Sequence, residues 1–209
     1  MAPKRSTLLP SPATRDEHSK RTRDRIVAAT RALMVESGFP RMSLEDVAQA
    51  AGVTRVTVYN QFGSRRGLLE AVFDDIAERG VFARLADTIT RADPRDALRD
   101  TLREFCRIWA SNEAVFRRVL GMAEVDPEVH DAFAPRDARR QRTSHDLVVR
   151  LAAARRLRPG WTRARAVAVL HTLTDFGTYQ RLRSGGISGH LAIAEALIGL
   201  AGAVFDLGK

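Results

Sequence analysis

The chain has 209 residues, of which 44% are hydrophobic, and a formal net charge of +9. That length suits a small domain joined to a larger one, with enough apolar content to build a core. A single cysteine, Cys106, excludes an intrachain disulfide framework, and no apolar run is long enough for a signal peptide or a bilayer span, so a cytoplasmic setting is expected.

The charge is unevenly spread. Residues 1–66 hold 12 Lys and Arg against 6 Asp and Glu, whereas residues 67–209 hold 22 against 19. A basic first third favours an anionic partner, nucleic acid or an anionic membrane surface. Arginine outnumbers lysine 31 to 3, which suits bidentate phosphate contacts but also follows from GC-rich coding.

In chain order, residues 1–19, with Lys4, Arg5 and three prolines, read as a flexible basic arm. A first helix is expected from about Lys20 to Ser37, with Ile26, Ala29, Thr30, Leu33 and Ser37 on its buried face and Gly38 as its C-cap. Ser43 and Asp46 have the spacing of a capping box, opening a second helix with a Leu44, Val47, Ala48, Ala51 stripe that stops at Gly52. Thr54 N-caps a third short helix that ends near Phe62, before Gly63-Ser64. A fourth helix is expected from Arg65 to about Ala86, with Leu69, Val72, Phe73 and Ile76 inward. Further helices are expected near 94–110, 112–124, 127–156, 162–184 and 188–206, separated by Pro and Gly punctuation. No segment alternates with the period of a strand. The fold class is therefore all-α: an N-terminal three-helix helix-turn-helix domain over residues 20–66 and a larger helical domain over 67–209.

The informative segment is Ser43–Arg66, SLEDVAQAAGVTRVTVYNQFGSRR. Two helices too short to stand alone are joined by a tight turn at Ala51-Gly52-Val53. Val58 and Phe62 form the inward face of the third helix. Its outward face carries Thr54, Arg55, Thr57, Tyr59, Asn60 and Gln61, side chains that can bond phosphates and base edges. A helix built this way enters the major groove of duplex DNA.

These residues resemble the TetR/AcrR family of bacterial regulators. The likeness runs through Arg25-Ile26-Val27-Ala28-Ala29, Gly38-Phe39, Leu44-Glu45-Asp46-Val47-Ala48, Ala51-Gly52-Val53-Thr54, Val58-Tyr59, Phe62, Ser64-Arg65 and Leu68-Leu69. The resemblance implies that Ser43 and Thr54 cap their helices and bind phosphates, and that the Tyr59 hydroxyl meets a phosphate. Arg65, where the family usually has Lys, grips the backbone, and Arg55, Val56, Thr57, Asn60 and Gln61 face bases or phosphates. Val56 replaces a small residue or Pro, which changes how closely the backbone can approach DNA.

The same resemblance implies a C-terminal domain for ligand binding and dimerisation. Phe105, Trp109, Phe116, Met122, Phe176 and Tyr179 are candidates to line a largely apolar effector site, although large aromatics are more often plain core. His171 and Asp175, four apart, could hold a polar ligand group or a metal, or simply bond one another. The stripe His190, Ala194, Leu197, Ile198, Ala201, Val204 and Phe205, with Val167, Leu170, Leu173 and Gly177 before it, fits either a homodimer interface or core. Small residues Ala196, Gly199 and Gly202 permit close helix approach. Cys106 reads as core.

The expected function is a ligand-responsive DNA-binding regulator, a repressor released from a pseudopalindromic operator by a small molecule. The alternative is a constitutive regulator with no ligand. No enzyme, cofactor, metal or membrane role is expected: there is no metal-ligand cluster, phosphate-cradling glycine loop or nucleophile motif.

Overall fold

Helical periodicity decides nearly the whole chain. The computed structural model describes residues 12–36, 42–78 and 81–208, and among them the secondary structure is α-helical, with one isolated bridge between Leu157 and Phe205. The helices are α1 (Pro12–Glu36), α2 (Leu44–Ala51), α3 (Arg55–Phe62), α4 (Arg65–Glu78), α5 (Val81–Ile89) and α6 (Pro94–Ser111). There follow α7 (Glu113–Ala123), α8 (Pro127–Ala153), α9 (Arg163–Leu173), α10 (Phe176–Ser184) and α11 (His190–Ala201). The architecture is an N-terminal helix-turn-helix domain followed by a larger helical domain. Two compact units divide between Val72 and Phe73, inside α4 and six residues beyond the 66/67 boundary read from sequence.

In the first unit, α1 starts earlier than Lys20. Residues 16–20 there are exposed and polar, with pairs such as Arg21 Nη2–Glu17 Oε1 at 2.7 Å, and so carry no apolar stripe to announce them. The buried face of α1 is Ile26, Val27, Thr30 and Met34. Leu33 and Ala29, assigned to that face by spacing, are half-buried, and Leu44 of α2 is too. Val47, Ala48, Ala51, Val58, Leu68, Leu69 and Val72 complete the core. Ser37 and the Gly38 cap lie outside the described residues, as does most of the basic arm.

Of the helix expected over 65–86, residues 65–78 and 81–86 are helical, in α4 and α5, and Arg79 and Gly80 lie outside the described residues. In the second unit two expected helices prove shorter or divided. The helix expected over 162–184 breaks at Thr174-Asp175. Thr174 Oγ1 turns back to the Leu170 carbonyl at 3.2 Å, and the Asp175 carboxylate accepts the Gly177 N–H at 2.7 Å, starting α10 afresh. Thr and Asp favour such local bonds over helix continuation, and here they win over the apolar period. The last helix ends at Ala201, and residues 202–207 fold back as a plug. The Arg158 N–H reaches the Val204 carbonyl at 2.9 Å and the Asp206 N–H reaches the Arg156 carbonyl at 2.8 Å.

With that plug in place, the stripe read from sequence as either dimer interface or core falls largely on the side of core. Ala194, Leu197, Ala201, Val204 and Phe205 are buried within the protomer, as are Leu170 and Leu173. They form core with α6, whose Leu98, Leu102 and Cys106 are also buried. Burial pushes the Cys106 thiol up to about 12, so it is inert packing. What α11 leaves outward is Leu191, Ala192, Glu195, Gly199 and Leu200, with Glu195 paired to Arg103 at 2.8 Å, and the exposed Ala203 follows just beyond its end.

Candidate functional site

The geometry of the first unit begins at two caps and a turn. Ser43 Oγ accepts the Asp46 N–H at 3.1 Å, and the Ser43 N–H donates to Asp46 Oδ2 at 2.8 Å, a closed capping box. Those Ser43 hydrogen bonds hold the Asp46 carboxyl below its usual range. Gly52 sits at φ 63°, ψ 41°, the left-handed conformation that glycine adopts without penalty, and the Val53 N–H returns to the Ala48 carbonyl at 3.0 Å. Val53 is half-buried at the turn. Thr54 Oγ1 then accepts the Thr57 N–H at 3.2 Å and so caps α3.

This fixes which face of α3 is presented. Val58 is fully buried, whereas Val56 is 65% exposed and Tyr59, three residues on, 59%. Arg55 and Asn60 are exposed beside them; Thr57 and Gln61 are half-buried. Phe62, expected inward, is half-buried with the Arg23 guanidinium 4.7 Å above its ring. An open groove of about 450 Å³ between α1 and α3 is walled by His18, Ser19, Thr22, Arg25, Val53, Thr54, Thr57 and Gln61. The α1 residues of this groove were not anticipated, because their polar positions lie in the turns that periodicity passes over.

The start of α4 is built on a second close turn. Gly63 has φ 70°, its N–H donates to the Tyr59 carbonyl at 2.7 Å, and Ser64 Oγ accepts the Gly67 N–H at 3.1 Å. Arg65 lies half-buried in the first turn of α4. A side-chain Cβ at Gly67 would stand 2.0 Å from the Phe62 carbonyl oxygen, so α3 and α4 approach as closely as they do only with glycine there.

The second unit holds a cavity of about 90 Å³. Its apolar walls include Phe73, Ile76, Phe105, Trp109, Phe116 and Phe133, and its polar end is Arg136, Asp137 and Arg140 of α8. Of the residues named from sequence, Phe105, Trp109 and Phe116 line it. Phe176 and Tyr179 sit behind, with Phe176 5.6 Å from Trp109 by ring centroids, and Met122 is half-buried and not among these walls. The α8 residues were missed because charged positions on a helix read as solvent-facing.

His171 and Asp175 lie on either side of the α9–α10 break and meet through Arg140 instead of bonding each other. Arg140 Nη2 is 3.1 Å from His171 Nε2 and 3.3 Å from Asp175 Oδ2, and Asp137 Oδ2 is 3.6 Å from the same imidazole nitrogen. Burial, then the Arg140 charge, push the imidazole below its ordinary value of 6.5. Among the described residues no group of three or more His, Cys, Asp or Glu side chains is placed to hold a metal, and no helix is long and apolar enough to cross a membrane.

Comparison with known proteins points the same way as the geometry. Residues 26–72 match the family model described as bacterial regulatory proteins, tetR family. The HTH-type transcriptional regulator AlkX of Mycobacterium tuberculosis is 42% identical over 57 residues, 27% of each chain. The HTH-type transcriptional regulator TtgR of Pseudomonas putida is 31% identical over 87 residues, 41% of each chain. The chain thus aligns with well under half the length of these curated relatives. Structural likeness extends further: NalD, the secondary repressor of the MexAB-OprM multidrug efflux pump in Pseudomonas aeruginosa, superposes with a TM-score of 0.67 at 26% identity, covering 90% of this chain and 98% of NalD.

Proposed function

We propose that this chain, which belongs to the TetR family of bacterial transcriptional regulators, binds a pseudopalindromic operator as a homodimer and is released by a small, largely apolar effector. The observation that carries the DNA-binding half is the outward face of α3. An eight-residue helix held by a cap at each end leaves Val56 and Tyr59 in solvent on one side, between Arg55 and Asn60. Exposing two large apolar groups on so short a helix wastes burial that a groove would recover. In this reading Val56 meets a thymine methyl, Asn60 and Gln61 read base edges, and Ser43, Thr54, Thr57, Tyr59 and Arg65 bond phosphates.

Dimerisation is assigned to the outward face of α11, where Ala192 and Gly199 allow close approach between flanking Leu191 and Leu200, and Glu195 on the same face is already paired with Arg103. A two-fold dimer then presents two α3 helices to two half-sites. Release follows if the effector favours a dimer whose reading helices no longer match that spacing. Repression is the simplest output of a protein that occupies an operator.

Selection from a random duplex pool, followed by titration against salt, tests the reading. A palindromic consensus should emerge, and Arg65→Ala should lower affinity on every sequence while reducing the slope of log K against log salt by about 1. No enriched duplex, or unchanged slope in Arg65→Ala, refutes the DNA-binding or the phosphate assignment respectively.

A further inference from the structure

The groove between α1 and α3 joins one face of a long helix to the start of the reading helix. His18, Thr22 and Arg25 follow the i, i+4, i+7 spacing of a single face of α1, with Ser19 beside them. Val53, Thr54, Thr57 and Gln61 form the opposite wall. Only Val53 among these walls is apolar, and none is a carboxylate, although the chain holds 25 Asp and Glu. Hydroxyls, an amide, an imidazole and a guanidinium with no competing acid make a surface for an anion. Arg25 is exposed, and among the described residues it meets no carboxylate, whereas Arg21, one turn earlier, is tied to Glu17 at 2.7 Å.

Resting on the DNA-binding reading above, we infer that this face of α1 belongs to the DNA interface: a backbone phosphate flanking the half-site enters the groove, Arg25 pairs with it, and His18 and Ser19 donate from the turn beside it. Two features carry this. The first is continuity. Thr54 and Thr57 are walls of the groove and also lie on the first turn of α3, so a strand that passes the start of the reading helix runs directly onto α1. The second is position. Helix α1 begins at Pro12, and residues 18–25 precede the segment 26–72 that matches the family model. The contact is therefore a property of this chain's own first turns, and it widens the footprint beyond the matched segment. It fixes register and adds affinity without reading sequence, as phosphate contacts do.

Full-length variants are titrated against salt on two probes, a duplex enriched by the wild-type chain from a random pool and the same duplex with its sequence scrambled. Arg25→Gln should lower affinity about tenfold on both and reduce the slope of log K against log salt by about 1. Arg25→Lys, which keeps the charge, should restore the slope. Lys20→Gln removes an equal charge from an exposed position of α1 outside the groove and should leave the slope unchanged. Ethylation of single phosphates should reveal one that interferes with wild-type binding and no longer interferes in Arg25→Gln. The side chain is exposed, so the variant should melt as wild type does. An unchanged slope in Arg25→Gln, an equal loss in Lys20→Gln, or the same interfering phosphates in wild type and Arg25→Gln overturns the α1 contact. If Arg65→Ala still loses affinity in that case, the α3 reading survives without it. A wild-type chain that binds neither duplex at low salt overturns both.

Discussion

Replacing Gly67 with Ala sets two effects of opposite sign against each other. Gly67 lies inside α4, and on helix propensity alone Ala there should stabilise by about 1 kcal/mol. The structure puts the new Cβ 2.0 Å from the Phe62 carbonyl oxygen and 3.1 Å from its carbon. The carbonyl would have to recede by about 1.4 Å to reach ordinary contact distance. It also accepts the Ser64 N–H at 2.8 Å, in the turn that joins α3 to α4, so moving it loosens that turn. Overpacking of this kind costs about 1–3 kcal/mol and a weakened hydrogen bond about 1 more. The clash wins, with a net loss of about 1–3 kcal/mol. In a unit of this size each kcal/mol lowers the melting temperature by about 4–8 °C. Thermal unfolding followed by circular dichroism should show that drop, and operator affinity measured well below the transition should fall as α3 shifts. A melting temperature equal to or above wild type would refute the reasoning and show that propensity governs the site.

Two further outcomes follow from the second unit. A Cβ at Gly199 meets nothing within 4 Å, so Gly199→Leu leaves the protomer's packing intact while filling the outward face of α11; light scattering after size exclusion should find the proposed dimer in wild type and a monomer in the variant, and a dimer persisting in the variant places the interface elsewhere. His171 has its folded pKa depressed below 6.5, chiefly by burial and then by Arg140, so the unfolded chain takes up the proton first as pH falls. The stability contribution is thus present above pH 6.5 and is lost as pH falls through the folded value. His171→Gln should flatten the decline in denaturant midpoint between about pH 7 and 5, and an unchanged decline there would put its origin in other groups.

The parts of the fold legible from sequence are those set by local chemistry. Ser43 with Asp46, Gly52, Thr54 and Val58 each encode a cap, a turn or a buried contact within four residues, and the structure realises each one. Illegible parts depend on partners distant in sequence. Periodicity identified Leu197, Ala201 and Phe205 as an apolar stripe but could not say whether a neighbouring helix or a second copy covers it; the returning tail at residues 202–207 decides for core. The polar end of the cavity was hidden for a similar reason, since Arg140 acquires its meaning from a junction 34 residues further on.

That junction also explains why cavity and α9 need not be independent. The break at Thr174-Asp175 leaves carbonyls that no helix satisfies, and two walls of the cavity supply the donors. Trp109 Nε1 donates to the Thr174 carbonyl at 3.1 Å from α6, and Arg140 reaches the His171 carbonyl and Thr174 Oγ1 from α8. An uninterrupted helix through 162–184 would bond these groups internally and owe nothing to the cavity. With the break, displacing the Trp109 indole would leave the Thr174 carbonyl without that donor at about 1–3 kcal/mol, whereas the His171 carbonyl and Thr174 Oγ1 keep their bond to each other if Arg140 moves. Packed interiors respond to such conflicts by switching between discrete arrangements and not by graded yielding. The non-helical pair at 174–175 is therefore the point in the second unit where a helix break is tied by hydrogen bonds to Trp109 and Arg140, two residues that line the cavity.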